Sequence, residues 1–181
     1  MMKRLLLLLT LSWIISTATQ AQLVALKTNV LMDAALMPNL EVEVATGNKT
    51  SITLQTYGSM YVMGQNVKTL GIAPEFRYWI GGRPMIHLFV GAGAMATTYN
   101  INWKGKNFKG DAVGVGLEFG YVKPLSKRWN MEVSAGTQIA AYYQHMWYDG
   151  DSYNTKTHRK DNRGAKLLPY RLGLTFSYII K

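Results

Sequence analysis

Residues 39–45 read Asn-Leu-Glu-Val-Glu-Val-Ala, and this strict alternation is the feature that most limits the fold. Leu40, Val42 and Val44 leave one side of the chain; Asn39, Glu41 and Glu43 leave the other. A period of two is that of a β-strand, because successive side chains project from opposite faces of the pleat. Seven further segments repeat the logic, each with one apolar row and one polar, small or charged row.

Residues 1–21 have the form of a secretory signal peptide. Lys3 and Arg4 precede an apolar run at 5–15, and Thr19-Gln20-Ala21 supplies small residues before the expected cut at Gln22. The run is shorter than the roughly 20 residues of a membrane-crossing helix. No cysteine follows it, which argues against a lipid anchor there. Residues 22–181 are then one domain with no second long apolar run. The absence of Cys removes disulfides, thiolate metal sites and thiol nucleophiles. The segment after the signal carries 18 basic and 10 acidic residues, a net charge of +8. Such a balance suits anionic neighbours: lipid phosphates, acidic glycans or the cell wall. Nucleic acid fits poorly, since an exported chain with no basic-aromatic motif has little to read it with.

The strands are expected at residues 23–33, 39–45, 51–62, 68–80, 86–94, 113–121, 129–139 and 168–180. Turn signals stand at 46–49, 81–84 and 124–127, and longer polar loops at about 101–111 and 144–165. Pro74 inside the fourth strand implies a bulge or a lost ladder bond. In the eighth strand Leu168, Tyr170, Leu172 and Leu174 oppose Arg171, Gly173, Thr175 and Ser177. Short links follow even strands, and the two long links follow odd ones. That asymmetry belongs to outer-membrane barrels, with short periplasmic turns and longer extracellular loops. It puts both chain ends in the periplasm. The expected fold is all-β: an eight-stranded antiparallel up-and-down transmembrane β-barrel in a Gram-negative outer membrane.

Alternation alone also suits an exported lipocalin-like barrel, polar outside and apolar inside. Three observations favour the membrane form. The polar rows hold one or two charges per strand and almost no Lys, unlike a solvated surface. Gly91, Gly93, Gly114, Gly116, Gly120, Gly136 and Gly173 crowd those rows, as the narrow interior of eight strands requires. Aromatics cluster near strand ends: Tyr78, Trp79, Trp129 and Tyr178 at one, Tyr99, Tyr142, Tyr143 and Trp147 at the other, resembling interface girdles.

The inward rows then hold Lys27, Glu41, Glu43, Glu75, Arg77, Glu118, Glu132 and Arg171. Five carboxylates and three cations in a narrow lumen must interlock, because an unpaired buried ion is very costly. Each guanidinium fork can bridge two carboxylates. One or two carboxylates are expected to be protonated, shared or beside water, given the excess of acid. A polar plug is favoured over a proton or ion path, because eight strands leave no aqueous channel.

Some small outer-membrane barrels modify lipid A, which needs a nucleophile, a base and an orienting group near the outer leaflet. His87 opens an upward strand at the wrong end, where a lumen hydrogen bond is its expected role. His145 and His158 share the long outer loop with Ser152, Asp149, Asp151 and Asp161. A loop of that composition yields such a set by chance, so no catalytic residue is assigned. His145, Asp149 and Asp151 lack the rest of a calcium-loop pattern, so no metal or cofactor is expected. The outer loops read better as a basic contact surface: Lys104, Lys106 and Lys109 in one, Lys156, Arg159, Lys160, Arg163 and Lys166 in or beside the other. Lipopolysaccharide phosphates or acidic surface glycan are the matching partners. Trp103, Trp147, Tyr148 and Tyr153 there could stack on sugars or anchor the loops.

The run 26–33, then 38–43, resembles the opening of a known family, as do Pro74-Glu75-Phe76-Arg77-Tyr78-Trp79, Gly114-Val115-Gly116 through Gly120-Tyr121, and 125–132. It is a family of small bacterial outer-membrane β-barrels, a domain of unknown function often encoded near fimbrillin-type fimbrial genes. The resemblance implies the barrel and the outer membrane, and it carries over no catalytic residue. Many relatives have cysteines in the long outer loop; this chain has none. The expected role is non-enzymatic: envelope structure or surface interaction, with fimbrial or surface-glycan components as partners. A lipid-A-modifying or other envelope enzyme, or a narrow pore, is the alternative.

Overall fold

The computed structural model describes residues 23–61, 66–148, 150 and 160–180. The expected signal peptide, Lys156, Arg159, His158, Ser152, Asp149, Asp151 and Tyr153 lie outside the described residues, as does the side chain of Lys160. Eight strands run in chain order: β1 (Val24–Asn29), β2 (Asn39–Ala45), β3 (Thr50–Ser59), β4 (Val67–Trp79), β5 (His87–Trp103), β6 (Lys106–Pro124), β7 (Trp129–Tyr148) and β8 (Lys160–Ile179). Each pairs antiparallel with the next, and β8 returns to β1 through pairs such as Leu26 with Tyr178. The result is a closed barrel with no free edge along the paired strands. No helix among the described residues is long and apolar enough to cross a membrane, a statement that does not bear on strands.

The two rows of each strand part as the alternation requires. Leu70, Val115, Leu117 and Leu172 on the outer wall are each about two-thirds exposed. Glu43, Arg77, Ser51 and Thr53 on the inner wall are fully buried. The lipocalin-like arrangement is thereby overturned, since the polar rows face in.

Several boundaries differ from the sequence reading. β1 ends at Asn29, and 30–34 form a one-turn helix, α1 (Val30–Ala34). The cause is Asn29, whose side-chain oxygen accepts from the Leu31 and Met32 amides in the manner of an N-cap. Asn39 locks this corner, accepting from the Asn29 amide and donating to Asp33 Oδ1 at 2.9 Å. Met32, in that helix, accepts from Gln55 Nε2 over the lumen. The supposed loop at 101–111 is a hairpin: β5 and β6 stay paired up to Trp103 and Lys106 around a Lys104-Gly105 turn. Likewise β7 and β8 remain paired as far as Met146 with Lys160, well into the supposed 144–165 loop. Apolar and aromatic residues at 99–108 and 142–148 keep alternating, and cross-strand pairing uses them.

Pro74 breaks the ladder without shifting it. The β4–β5 pairing lapses at Ala73 and Pro74 and resumes in the same register at Glu75 with Gly93. The true irregularity lies in β8. Ala135 pairs with Leu172, but Thr137 pairs with Pro169, so Tyr170 and Arg171 together oppose Gly136. This is a β-bulge. Beyond it the faces of β8 are exchanged: Leu168 pairs with inward Gln138, and Tyr170 turns into the lumen, both having been expected on the outer wall.

Candidate functional site in the barrel interior

The lumen is filled in layers. At the end of the four- to seven-residue turns, Ala25, Trp79, Met85, Phe89 and Val122 form an apolar floor. Met85, in the 80–86 link, is tucked inside with a left-handed backbone (φ 65°), and Asn130 Nδ2 donates to its carbonyl at 2.9 Å. Trp79, expected in an aromatic girdle, is fully buried; its Nε1 donates to Ser51 Oγ at 2.8 Å and its ring packs against Phe89. Trp129 and Tyr178 do stand on the outer wall, in edge contact at 5.1 Å. His87 points outward onto the Tyr121 ring rather than into the lumen, because its own φ is positive (65°).

Above the floor sit all eight of the predicted inward charges. Arg77 lies at the centre: Nε donates to Glu75 Oε1 at 2.6 Å, Nη1 to Glu132 Oε2 at 3.0 Å and Nη2 to Glu118 Oε2 at 3.1 Å. Its guanidinium also rests 4.3 Å from the Phe89 ring centre, on the floor. Lys27 Nζ donates to Glu132 Oε2 at 2.7 Å and contacts Glu43, whose other oxygen accepts from Ser51 Oγ. Arg171 Nη1 donates to Glu41 Oε2 at 2.8 Å. Six strands supply the eight charges and β3 adds Ser51, so the network ties distant parts of the barrel. The geometry joins strands; it presents no exposed reactive atom.

Over this layer lies an aromatic storey. The Tyr170 ring sits on Gly116, and its hydroxyl lies over Gly93; a Cβ at either glycine would collide with it. Tyr57 packs over its cross-strand partner Gly71 in the same way, and its hydroxyl donates to Met95 Sδ at 3.7 Å. Sequence reasoning missed Tyr170 because the bulge leaves no local mark. The small residues at 93 and 116 were the available signal.

At the far end β5–β8 outrun β1–β3, and their inner faces line a cavity of about 560 Å3. Tyr99 and Tyr142, expected in a girdle, line it instead; Tyr99 donates to Gln144 Oε1 at 2.9 Å. The basic residues assigned to loops divide between faces. Lys106 Nζ lies over the Phe108 and Tyr148 rings, and Lys166 Nζ over Tyr142, on the cavity side. Lys109 pairs with His145, and Arg163 with Tyr143, on the outer side. Lys104 occupies the exposed turn, and Lys160 opens β8.

Of the residues weighed for catalysis, the structure joins two: His145 Nδ1 and Asp161 Oδ1 lie 2.6 Å apart on the outer face, with Tyr143 donating to Asp161. Among the described residues no group of three His, Asp or Glu is placed to hold a metal ion.

Together these features define a closed eight-stranded barrel whose interior is an ionic cross-link. The chain belongs to the family described as Protein of unknown function (DUF3575), which matches residues 6–180. The resemblance to a domain of unknown function read from the sequence is thus borne out. No curated protein and no solved structure matches the chain.

Proposed function

We propose that this chain spans an outer membrane as a β-barrel and serves there without catalysing a reaction, in envelope structure or surface contact. The observation that carries the proposal is the inverted polarity. Leu, Val, Ile and Phe side chains cover the outer wall, while eight charges are sealed inside. Water would disfavour that wall, since rows of exposed Leu, Val, Ile and Phe run along neighbouring strands where a soluble monomer exposes only small apolar patches. Lipid favours it, and a closed ladder satisfies the backbone without water. The described ends, Leu23 and Ile180, and the short turns lie at the floor end, which matches a periplasmic side, with the longer hairpins outside. A pore is disfavoured by the side chains that fill the lumen.

The outer hairpins, with Lys104, Lys109 and Arg163 exposed, are the proposed contact surface for lipopolysaccharide phosphate or acidic glycan. A fimbrial link belongs to the same reading and rests on the family resemblance. The test is fractionation of the native chain. It should remain in the outer membrane after an alkaline wash, and crosslinking on intact cells should capture its surface partner. Recovery as a soluble monomer in detergent-free buffer would overturn the proposal. Among the described residues, the His145–Asp161 contact is the feature that favours an envelope enzyme. Mass spectrometry of lipid A from a deletion strain decides that reading: an altered acyl or phosphate pattern supports it.

A further inference from the structure

The floor end of the barrel carries a charge that the ionic layer does not answer. Its turns and strand ends expose five basic side chains: Lys49 between β2 and β3, Arg83 between β4 and β5, and Lys123, Lys127 and Arg128 at the β6–β7 turn. Among the described residues no exposed carboxylate side chain stands with them. Glu41, Glu43, Glu75, Glu118 and Glu132 are sealed in the lumen, above Trp79, Met85 and Phe89. Asp33, Asp111 and Asp161 belong to the opposite end, in α1, early in β6 and at the start of β8. There the signs are mixed, with Asp111 and Arg163 flanking Tyr143 from either side across the sheet. The wall also fixes the height of the floor-end cations. Arg128 Nη1 donates to the Tyr178 hydroxyl at 3.0 Å, and Tyr178 is in edge contact with Trp129 on the outer wall. The Ser126 hydroxyl accepts from the Arg128 and Trp129 amides and so holds the turn. Lys123 ends the outward row that contains Tyr121, and Lys49 precedes Thr50, the partner of outward Tyr78. Aromatic rings at the end of an apolar wall mark a headgroup level, and Lys and Arg beside them reach the phosphates there.

We propose that this rim gathers anionic phospholipid of the periplasmic leaflet, its basic side chains holding phosphodiester headgroups of the phosphatidylglycerol class. The surface presupposes the membrane reading above and adds to it the lipid and the leaflet. Each basic residue near a charged bilayer surface adds to the attraction, and no neighbouring carboxylate subtracts from it. A lipid fits better than a soluble polyanion because Arg128 is tied to the outer wall and Lys123 belongs to it. Acyl chains of a bound lipid then pack on exposed Tyr121 and Val133 below the headgroup.

The test is lipid selectivity, read by electron spin resonance with the full chain in phosphatidylcholine vesicles. A trace of phosphatidylglycerol or of phosphatidylcholine carries a spin label on its acyl chain, and the immobilised fraction counts lipid held at the wall. Phosphatidylglycerol should be preferred about fivefold, the worth of one basic contact at a charged surface. The preference should fall toward one in about 1 M salt, where screening is nearly complete within about 3 Å. Lys49→Gln, Arg83→Gln, Lys123→Gln, Lys127→Gln and Arg128→Gln together should abolish it. Lys104→Gln, Lys109→Gln and Arg163→Gln, at the far end, should leave it intact. Folding is checked by heat-sensitive mobility on gels, and the smaller set Lys49→Gln, Arg83→Gln and Lys127→Gln, all in exposed turns, should lower the preference in part. Equal immobilisation of the two lipids, a preference that ignores the rim substitutions, or one that follows the far-end set overturns the proposal. So does rim-dependent sedimentation with isolated sacculi in the absence of any lipid preference, which would make an acidic wall polymer the partner. A chain that stays in the aqueous phase and immobilises neither lipid overturns the membrane reading and this surface with it.

Discussion

Tyr170 and Arg171 are consecutive residues, yet both side chains enter the barrel, Arg171 reaching Glu41 and Tyr170 lying over Gly93 and Gly116. A regular strand would send one of them out. The bulge opposite Gly136 supplies the extra residue that turns both inward, and it exchanges the faces of β8 beyond that point. One irregular position therefore completes the ionic layer and also roofs it with an aromatic ring.

Tyr170→Ala should therefore behave as a core truncation, costing about 3–5 kcal/mol, the range for emptying an aromatic site. Leu172→Ala, two positions on but on the outer wall, should cost far less. The measurement is the temperature at which the folded band is lost on gels. Equal losses would place Tyr170 outside.

Arg77→Ala should be among the most damaging single changes in the chain. It removes one hydrogen bond each from Glu75, Glu118 and Glu132 and leaves five buried carboxylates to two cations, for about 3–5 kcal/mol or more. Arg77→Lys should recover only part of that, because an ammonium cannot span three acceptors as the planar fork does. Thermal resistance equal to the parent in Arg77→Ala would refute the interlocked core.

The carboxylates should not be equivalent. Glu132 Oε2 accepts from both Lys27 and Arg77, whereas Glu118 accepts from one cation, Arg77. With five acids against three bases, neutralising Glu118 relieves excess negative charge, while neutralising Glu132 removes the acceptor that joins two cations. Glu118→Gln should be tolerated and Glu132→Gln should lower the unfolding temperature clearly. A reversed order in a denaturant titration would contradict the assigned geometry.

Gly71 faces the Tyr57 ring, whose atoms are the three nearest to a Cβ built at that position. Gly71→Ala should cost about 1–3 kcal/mol by overpacking. The penalty should largely disappear in a Tyr57→Ala background. A double-mutant cycle with no coupling would show that backbone conformation, and not the ring, demands glycine there.

Trp79 and Trp129 stand near the same end of the barrel with opposite surroundings, one sealed in the floor and one on the outer wall. In a bilayer of brominated phospholipid, Trp129→Phe should remove much of the fluorescence quenching, and Trp79→Phe should remove little. The opposite result would reverse the faces of the wall.

What could be read from the chain alone was whatever obeys a local period. Alternation depends only on the pleat, so it revealed the eight strands, the two faces and the eight inward charges. It overran at Asn29, where a side chain competes for backbone amides, and it stopped short at 99–108 and 142–148, where polar residues resembled loop. What only the tertiary structure decided was how the rows meet in depth. The bulge at Gly136, the inward turn of Tyr170 and Leu168, the burial of Trp79 and the cavity lined by β5–β8 all depend on register between distant strands. Register is chosen by which side chains fill the closed interior together, and no single strand carries that information.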